Sequence, residues 1–418
     1  MIIDPKNIVA ADTVWVLVAS ALVMFMTPGL ALFYGGMVRT KNVLAMLMQN
    51  FFSLGLISVL WAVLGYSLAF GGTNGFFGNL DFLGLNDTLT TAPPGLALTI
   101  PPLVFVIFQM TFAVITPALI TGAIADRMRF AAWVWFLGLW SLLVYSPVAH
   151  WVWAPSGWLF KLGALDFAGG TVVHINAGIA ALVVTIFLGK RRGWPKTPMP
   201  PHNLTLTLIG TGILWFGWFG FNAGSSLAAN GLAAQAFMNT HLAAAAAMLS
   251  WLAVEKWKQG HATTLGAASG AVAGLVAITP CAGYVQGMSP IYIGLIAGVA
   301  CFFAVSLKFK FGFDDSLDVI GVHLVGGLAG AILVGVFAEK AVNSAGADGI
   351  LSGGGATLLG KQAIASAGTL AYSAVITAII CIVLKKFLPG GLRVTDEQEN
   401  AGLDQALHSE SGYSLDRV

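Results

Sequence analysis

The chain has 418 residues, of which 57% are hydrophobic and only 9% charged, with a formal net charge of +2 and a mean hydropathy of +0.83. Soluble domains carry roughly 25% charged residues, so this composition excludes a water-soluble fold. The net charge itself carries no message in such a chain; its distribution does.

Apolar runs of about 20 residues, enough to cross a hydrocarbon core of ~30 Å, recur from end to end. In chain order the predicted spans are 13–36, 42–70, 98–125, 130–151, 170–189, 203–224, 231–254, 263–281, 289–307, 319–338 and 362–386. The runs are continuous and lack the two-residue alternation of a membrane barrel. The predicted class is therefore an all-α integral membrane protein with eleven transmembrane helices. Residues 1–12 read as a short polar lead, and the first apolar run is too long for the core of a cleavable signal peptide.

Basic residues gather after alternate spans: Arg39 and Lys41, Arg127 and Arg129, Lys190 to Arg192 with Lys196, Lys256 and Lys258, Lys308 and Lys310, and finally Lys385, Lys386, Arg393 and Arg417. These are 16 of the 20 Lys and Arg; Lys6, Lys161, Lys340 and Lys361 fall on the other side. Cytoplasmic loops concentrate Lys and Arg, so the N-terminus is expected outside and the C-terminus in the cytoplasm, which requires an odd number of spans. Residues 1–388 then form one transmembrane domain, and 389–418 a soluble cytoplasmic tail containing Asp396, Glu397, Glu399, Asp404, Glu410 and Asp416. Segments 71–97 and 339–361, rich in Gly, Asn and Thr, read as external loops. Cys281, Cys301 and Cys381 are scattered, so neither a disulfide framework nor a metal site is expected.

One internal echo stands out. VHINAGIAAL at 173–182 and VHLVGGLAGA at 322–331 share Val-His and a glycine four residues after the histidine, Gly178 and Gly327. The second copy would enter the membrane from the opposite side, as in inverted-repeat transporters, whose sites lie at the midplane between halves.

Polar groups deep in hydrocarbon are costly and mark function. No Asp, Glu, Lys or Arg falls mid-span, which argues against sodium or proton coupling through a buried carboxylate. His174, His323 and His241 remain inside, with Asp166 and Asp318 at span entrances. A single buried histidine is ordinarily a hydrogen-bonded core residue, and His241 is read that way. His174 and His323 occupy matching positions in the echo, and a neutral imidazole pair can line a path without fixed charge. Asp318 is expected to cap its helix. Asp166 has two readings, a helix cap or a residue that orients an external vestibule. FGWFGFNAGSS at 216–226 interleaves aromatics and glycines and ends in hydroxyls. Interfacial belts explain many such tryptophans, but aromatic faces beside a hydroxyl also suit a small cation.

Several stretches together resemble the ammonium transporter (Amt/Mep/Rh) family: PGLALFYGGMVRTKNVL at 28–44, FQMTFAVITPALI at 108–120, AHWVW at 149–153, DFAGGTVVHINAG at 166–178, WFGFNAGS at 218–225 and DVIGVH at 318–323. The resemblance runs in order through nearly the whole chain, and is closest to the bacterial and archaeal Amt branch. It implies an inverted five-plus-five repeat around a central pore, no cofactor, no enzymatic activity, a homotrimer in the cell membrane, and a PII-type signal protein as a cytoplasmic partner. It further implies that Phe112, Trp153 and Ser225 form an external ammonium site, with Phe112 and Phe221 stacked as a gate beneath it. His174 and His323 would pair in the pore beside Trp218, and Asp166 would be a supporting acid. The expected activity is ammonium recruitment, deprotonation and ammonia conduction. Rival readings are an electroneutral ammonia or carbon dioxide channel, an ammonium sensor, and a membrane cytochrome with both histidines on haem iron.

Overall fold

The computed structural model describes residues 2–413, so Asp416 and Arg417 lie outside the described residues. Among the described residues the long elements are all helical, and β pairing is confined to two isolated bridges, Ile2 with Thr91 and Met128 with Arg393. The helices are α1 Ala10–Met37, α2 Thr40–Phe70, α3 Pro102–Ile124, α4 Phe130–Leu162, α5 Gly170–Leu188, α6 Leu204–Ser226, α7 Gly231–Gln259, α8 Thr264–Ile278, α9 Ser289–Phe311, α10 Ile320–Phe337 and α11 Thr357–Phe387. Two short helices follow, α12 Asp396–Ala401 and α13 Leu403–His408.

Ten of these helices are long and apolar enough to cross a membrane, and α8 is a shorter apolar helix of 15 residues. Where eleven full spans were expected, α8 rises only about 22 Å at 1.5 Å per residue. The predicted 263–281 run ends early because the chain turns at Pro280 beyond Ile278.

Lipid supplies no hydrophobic drive between helices, so close approach of small residues and interhelical hydrogen bonds must hold them. Accordingly α7 presents Ala243, Ala244 and Ala247 to α8 and α9, all fully buried. α1 packs most extensively against α6. Trp61 and Trp133 donate across helices to the carbonyls of Val106 and Gln49 at 3.2 and 3.1 Å.

The two histidine-bearing helices start in the same unusual way. α5 opens with a π-helical turn over Gly170–Ile175 and α10 with one over Ile320–Leu324, a widening that recurs at functional sites. Before the first, Asp166 accepts four backbone N–H bonds, from Gly169, Gly170, Thr171 and Val172, at 2.7 to 3.1 Å. Before the second, Asp315 accepts from Val319 and Ile320 at 3.1 and 2.7 Å. Three residues after each acid the backbone turns left-handed, at Gly169 (φ 121°) and Asp318 (φ 64°).

This corrects the expected role of Asp318. The cap is Asp315, which lies far enough upstream for its carboxylate to reach the free N–H groups of the first turn. Asp318 occupies the left-handed position instead and pairs with Lys308 at 2.6 Å.

The helix ends carrying the Lys- and Arg-rich loops are bound together by buried ion pairs. Arg191 holds Asp314 at 2.8 Å and reaches Asp126 at 3.5 Å, while Arg39 reaches Asp126 at 3.0 Å. Burial works to raise the Asp314 carboxyl, but the Arg191 and Arg127 guanidiniums outweigh it and hold Asp314 below the usual carboxylate value.

The tail packs onto this network instead of standing free. α12 starts with a capping box between Thr395 and Gln398. Asp404 in α13 accepts from the Leu44 and Ala45 N–H groups of α2 at 3.0 and 2.8 Å. Asn42 accepts from the Leu403 N–H at 2.8 Å and donates to Asp126. Glu399 binds Arg393 at 2.6 Å and the Arg192 N–H at 2.7 Å.

Candidate functional site

The stripe Phe105, Phe108, Gln109 and Phe112 runs along one face of α3 at helical spacing. With Trp153, Phe167, Ser225, Leu96 and Leu227 it lines a cavity of about 110 Å³ at the end away from the basic loops. The Phe112 ring meets Trp153 edge-on at 5.6 Å and Phe221 at 4.4 Å. Trp153 donates its indole N–H to the Asp166 carbonyl at 3.1 Å, and its ring lines the cavity. Ser225 donates to the Phe221 carbonyl at 2.9 Å, so its oxygen keeps lone pairs for a ligand.

Phe112 lines this outer cavity and Phe221 lines a second, much smaller void of about 10 Å³. The two touching rings therefore form the wall between them. The inner void is lined by apolar side chains such as Leu30, Leu119 and Val272, and among the described residues that line it His174, His323 and Trp218 carry the ring nitrogens. Trp218 spends its N–H on Thr279 Oγ1 at 2.8 Å and stacks its ring on His174 at 5.5 Å.

The histidines face each other Nδ1 to Nδ1 at 3.3 Å. A hydrogen bond between two like ring nitrogens requires one proton shared by two imidazoles, so one ring is the Nδ1–H tautomer and the other accepts. His174 Nε2 is buried and has no hydrogen-bond partner. An iron between two imidazoles would need roughly 4 Å between their nitrogens, from metal–nitrogen bonds of about 2.0–2.1 Å such as zinc makes. The 3.3 Å separation, with Trp218 and Phe221 stacked against the His174 ring, does not fit a haem iron held between the two imidazoles.

What lets the helices come so close is a reciprocal pair of glycines. A Cβ on Gly178 would lie 2.6 Å from the Leu324 backbone, and one on Gly327 would lie 2.9 Å from His174 Cβ. Asp166 does not project into the cavity chemistry directly. Its two oxygens are taken up by four backbone N–H groups, and burial raises its carboxyl above the usual value while those bonds pull it down. It fixes the segment that carries both the Trp153 contact and His174.

Beyond Val272, one turn along α8, Ser269 lines a third cavity of about 460 Å³ that also takes in Asp318, Lys308, Glu255 and Lys258. This cavity is polar and lies at the end of the bundle that carries the basic loops. His241 meets the Trp215 and Phe219 rings at a tilt, and does not line these voids.

Phe112, Trp153, Ser225, Phe221, Trp218, His174 and His323 are thus brought onto one line, with Asp166 behind it. Two residues escaped the sequence reading. Asp315 was signalled by its spacing, eight residues before His323 as Asp166 is before His174. Gln109 carries no signal of its own in the sequence, being a neutral amide inside the apolar run FQMTFAVITPALI.

A profile of the Ammonium Transporter Family matches residues 14–413. The ammonium transporter of Bacillus subtilis is 51% identical over 403 residues, covering 96% of this chain and 98% of that protein. That of Mycobacterium tuberculosis is 53% identical over 432 residues, covering 97% and 90%. Among solved structures, Candida albicans Mep2 superposes with a TM-score of 0.89 at 36% identity, covering 94% of this chain and 89% of that one. A Sensor Amt Protein superposes with a TM-score of 0.86 at 31% identity, covering 95% and 98%. The chain belongs to the ammonium transporter family of multi-pass membrane proteins.

Proposed function

We propose that this protein carries ammonium across the cell membrane by holding the cation at an aromatic-hydroxyl site, removing its proton, and conducting ammonia past the paired histidines. The observation that carries this reading is the pair of voids divided by Phe112 and Phe221. Above the rings are aromatic side chains and oxygen acceptors; below them is a narrow, mostly apolar void with two imidazoles and no charged side chain among its lining.

Ammonium, like a lysine ammonium with a pKa of roughly 10.4, is charged at neutral pH and similar in size to potassium. An apolar constriction turns that problem into selectivity. A bare ion in hydrocarbon suffers a large desolvation cost, ammonium escapes it by leaving its proton behind, and potassium has none to leave. Trp153 and Phe112 hold the cation by cation-π attraction, and Ser225 accepts one of its N–H bonds. His174 and His323 then offer hydrogen bonds to neutral ammonia along the inner void, and the mouth at Ser269 and Asp318 returns it to water.

The matching spacing of Asp166 to His174 and of Asp315 to His323 supports an inverted five-plus-five repeat with eleven crossings, α8 included. The basic loops support an external N-terminus and a cytoplasmic C-terminus. The docked tail, 389–413, supports a regulatory role at the cytoplasmic face. A homotrimer and a PII-type partner follow from the family resemblance.

The test is current from proteoliposomes on an ammonium jump, with potassium as control and His174→Ala alongside. A selective current altered in the variant supports the reading. Ammonia flux without current would favour an electroneutral channel. Binding without either signal would favour a sensor, a reading that the likeness to a Sensor Amt Protein keeps in view.

A further inference from the structure

We infer that Gln109 is a second oxygen ligand of the outer site, and that it sets the preference for ammonium over potassium at the binding step. This rests on the reading of the outer cavity as the ammonium site.

Among the described residues lining that cavity, the only side chains with an oxygen are Ser225 and Gln109. Gln109 is 9% exposed, and its Oε1 is buried with no hydrogen-bond partner. Buried amide oxygens are nearly always satisfied, and leaving one unpaired carries a real cost. The acceptor sits closed off in the wall of the cavity that Gln109 lines, and a donor entering that cavity would satisfy it once the amide turns. Gln109 lies one turn of α3 from Phe112, on the same face, so the donor it serves also touches the Phe112 ring. The terminal amide torsion is broad and soft, so the oxygen can turn toward an occupant.

The chemistry of the cavity narrows what that donor is. The Trp153 indole N–H is already given to the Asp166 carbonyl. Ring faces attract a cation, and two oxygens accept hydrogen bonds. A small cation bearing several N–H bonds satisfies both: two point at Ser225 Oγ and Gln109 Oε1, and the rest face the rings. Hydrogen bonds are directional, so two well-placed acceptors are enough. Potassium has no N–H to direct and instead needs a shell of oxygens to replace its water, which two cannot supply.

The test measures ammonium currents in proteoliposomes for Gln109→Met, Gln109→Glu, Ser225→Ala and Trp153→Leu, with and without potassium. Gln109→Met keeps the volume and removes the acceptor; it should raise the KM for ammonium by about tenfold, the scale of one hydrogen bond to a charged group, with the larger effect on KM and not on maximal current. Gln109→Glu keeps the shape and adds a negative charge; it should lower KM and let potassium compete. A Gln109→Met variant that loses maximal current or thermal stability at unchanged KM would overturn the inference in favour of a packing role. If Ser225→Ala and Trp153→Leu raise KM and the Gln109 variants do not, the Gln109 assignment alone falls. If none of the four moves KM, the recruitment site itself falls. Should Gln109→Met not fold, Gln109→Glu decides, and unchanged potassium competition in it overturns the inference.

Discussion

Gly178→Ala is the perturbation that reaches furthest into the pore while adding only one carbon. That carbon would lie 2.6 Å from the Leu324 backbone, where ordinary contact begins at 3.4 Å, so α5 and α10 must separate by about 0.8 Å. His323 immediately precedes Leu324, and its Nδ1 lies 3.3 Å from that of His174. A shift of that size carries the pair past the range in which a hydrogen bond exists. Overpacking of this kind costs about 1–3 kcal/mol, which a well-packed bundle tolerates. Misplacement near 1 Å at a reacting centre costs on the order of 100-fold, and a loss of transport of 10- to 100-fold is expected. Gly212→Ala is the control, since a Cβ there meets nothing within 4 Å. The assay pairs ammonium uptake in proteoliposomes with thermal unfolding in detergent. Full transport by Gly178→Ala, in a protein that unfolds like the control, would refute the argument that glycine-limited crossing sets the histidine geometry.

Three further outcomes are expected. Burial and then the neighbouring Asp318 push the Asp315 carboxyl up to about 7 from an ordinary 3.8, so the folded protein binds more protons than the unfolded chain between those values. The contribution of Asp315 to stability is therefore full at low pH and lost as pH rises toward 7; Asp315→Asn should flatten the fall of unfolding temperature with pH across that window, and parallel profiles would contradict it. Asp404→Ala removes the carboxylate that caps α2 through two N–H groups. At about 1–2 kcal/mol for a lost cap, limited proteolysis of 389–413 should quicken roughly 5- to 30-fold, and an unchanged digestion rate would show that other contacts hold the tail. Trp153→Leu should raise the ammonium KM roughly 3- to 30-fold, the range of a partly desolvated cation-π contact, and currents against ammonium concentration would read it.

The sequence by itself determined the membrane character, the all-helical class and nearly every span, because hydrocarbon forces backbone groups to pair within each helix and makes length and apolarity legible residue by residue. It determined the pairing of His174 with His323 as well, through the shared Val-His and glycine spacing. Tertiary structure decided what depends on register between distant segments. It placed Asp315 and not Asp318 at the head of α10, because a cap is defined by which backbone N–H groups its carboxylate reaches. It shortened α8 at the turn beyond Ile278 and bound the tail to Asn42 and α2, contacts between residues some 360 positions apart that no local pattern announces. It also brought Gln109, an unremarkable amide in an apolar run, to a cavity shared with Trp153 and Ser225. Only the folding of α3, α4 and α6 against one another puts those three side chains around a single space.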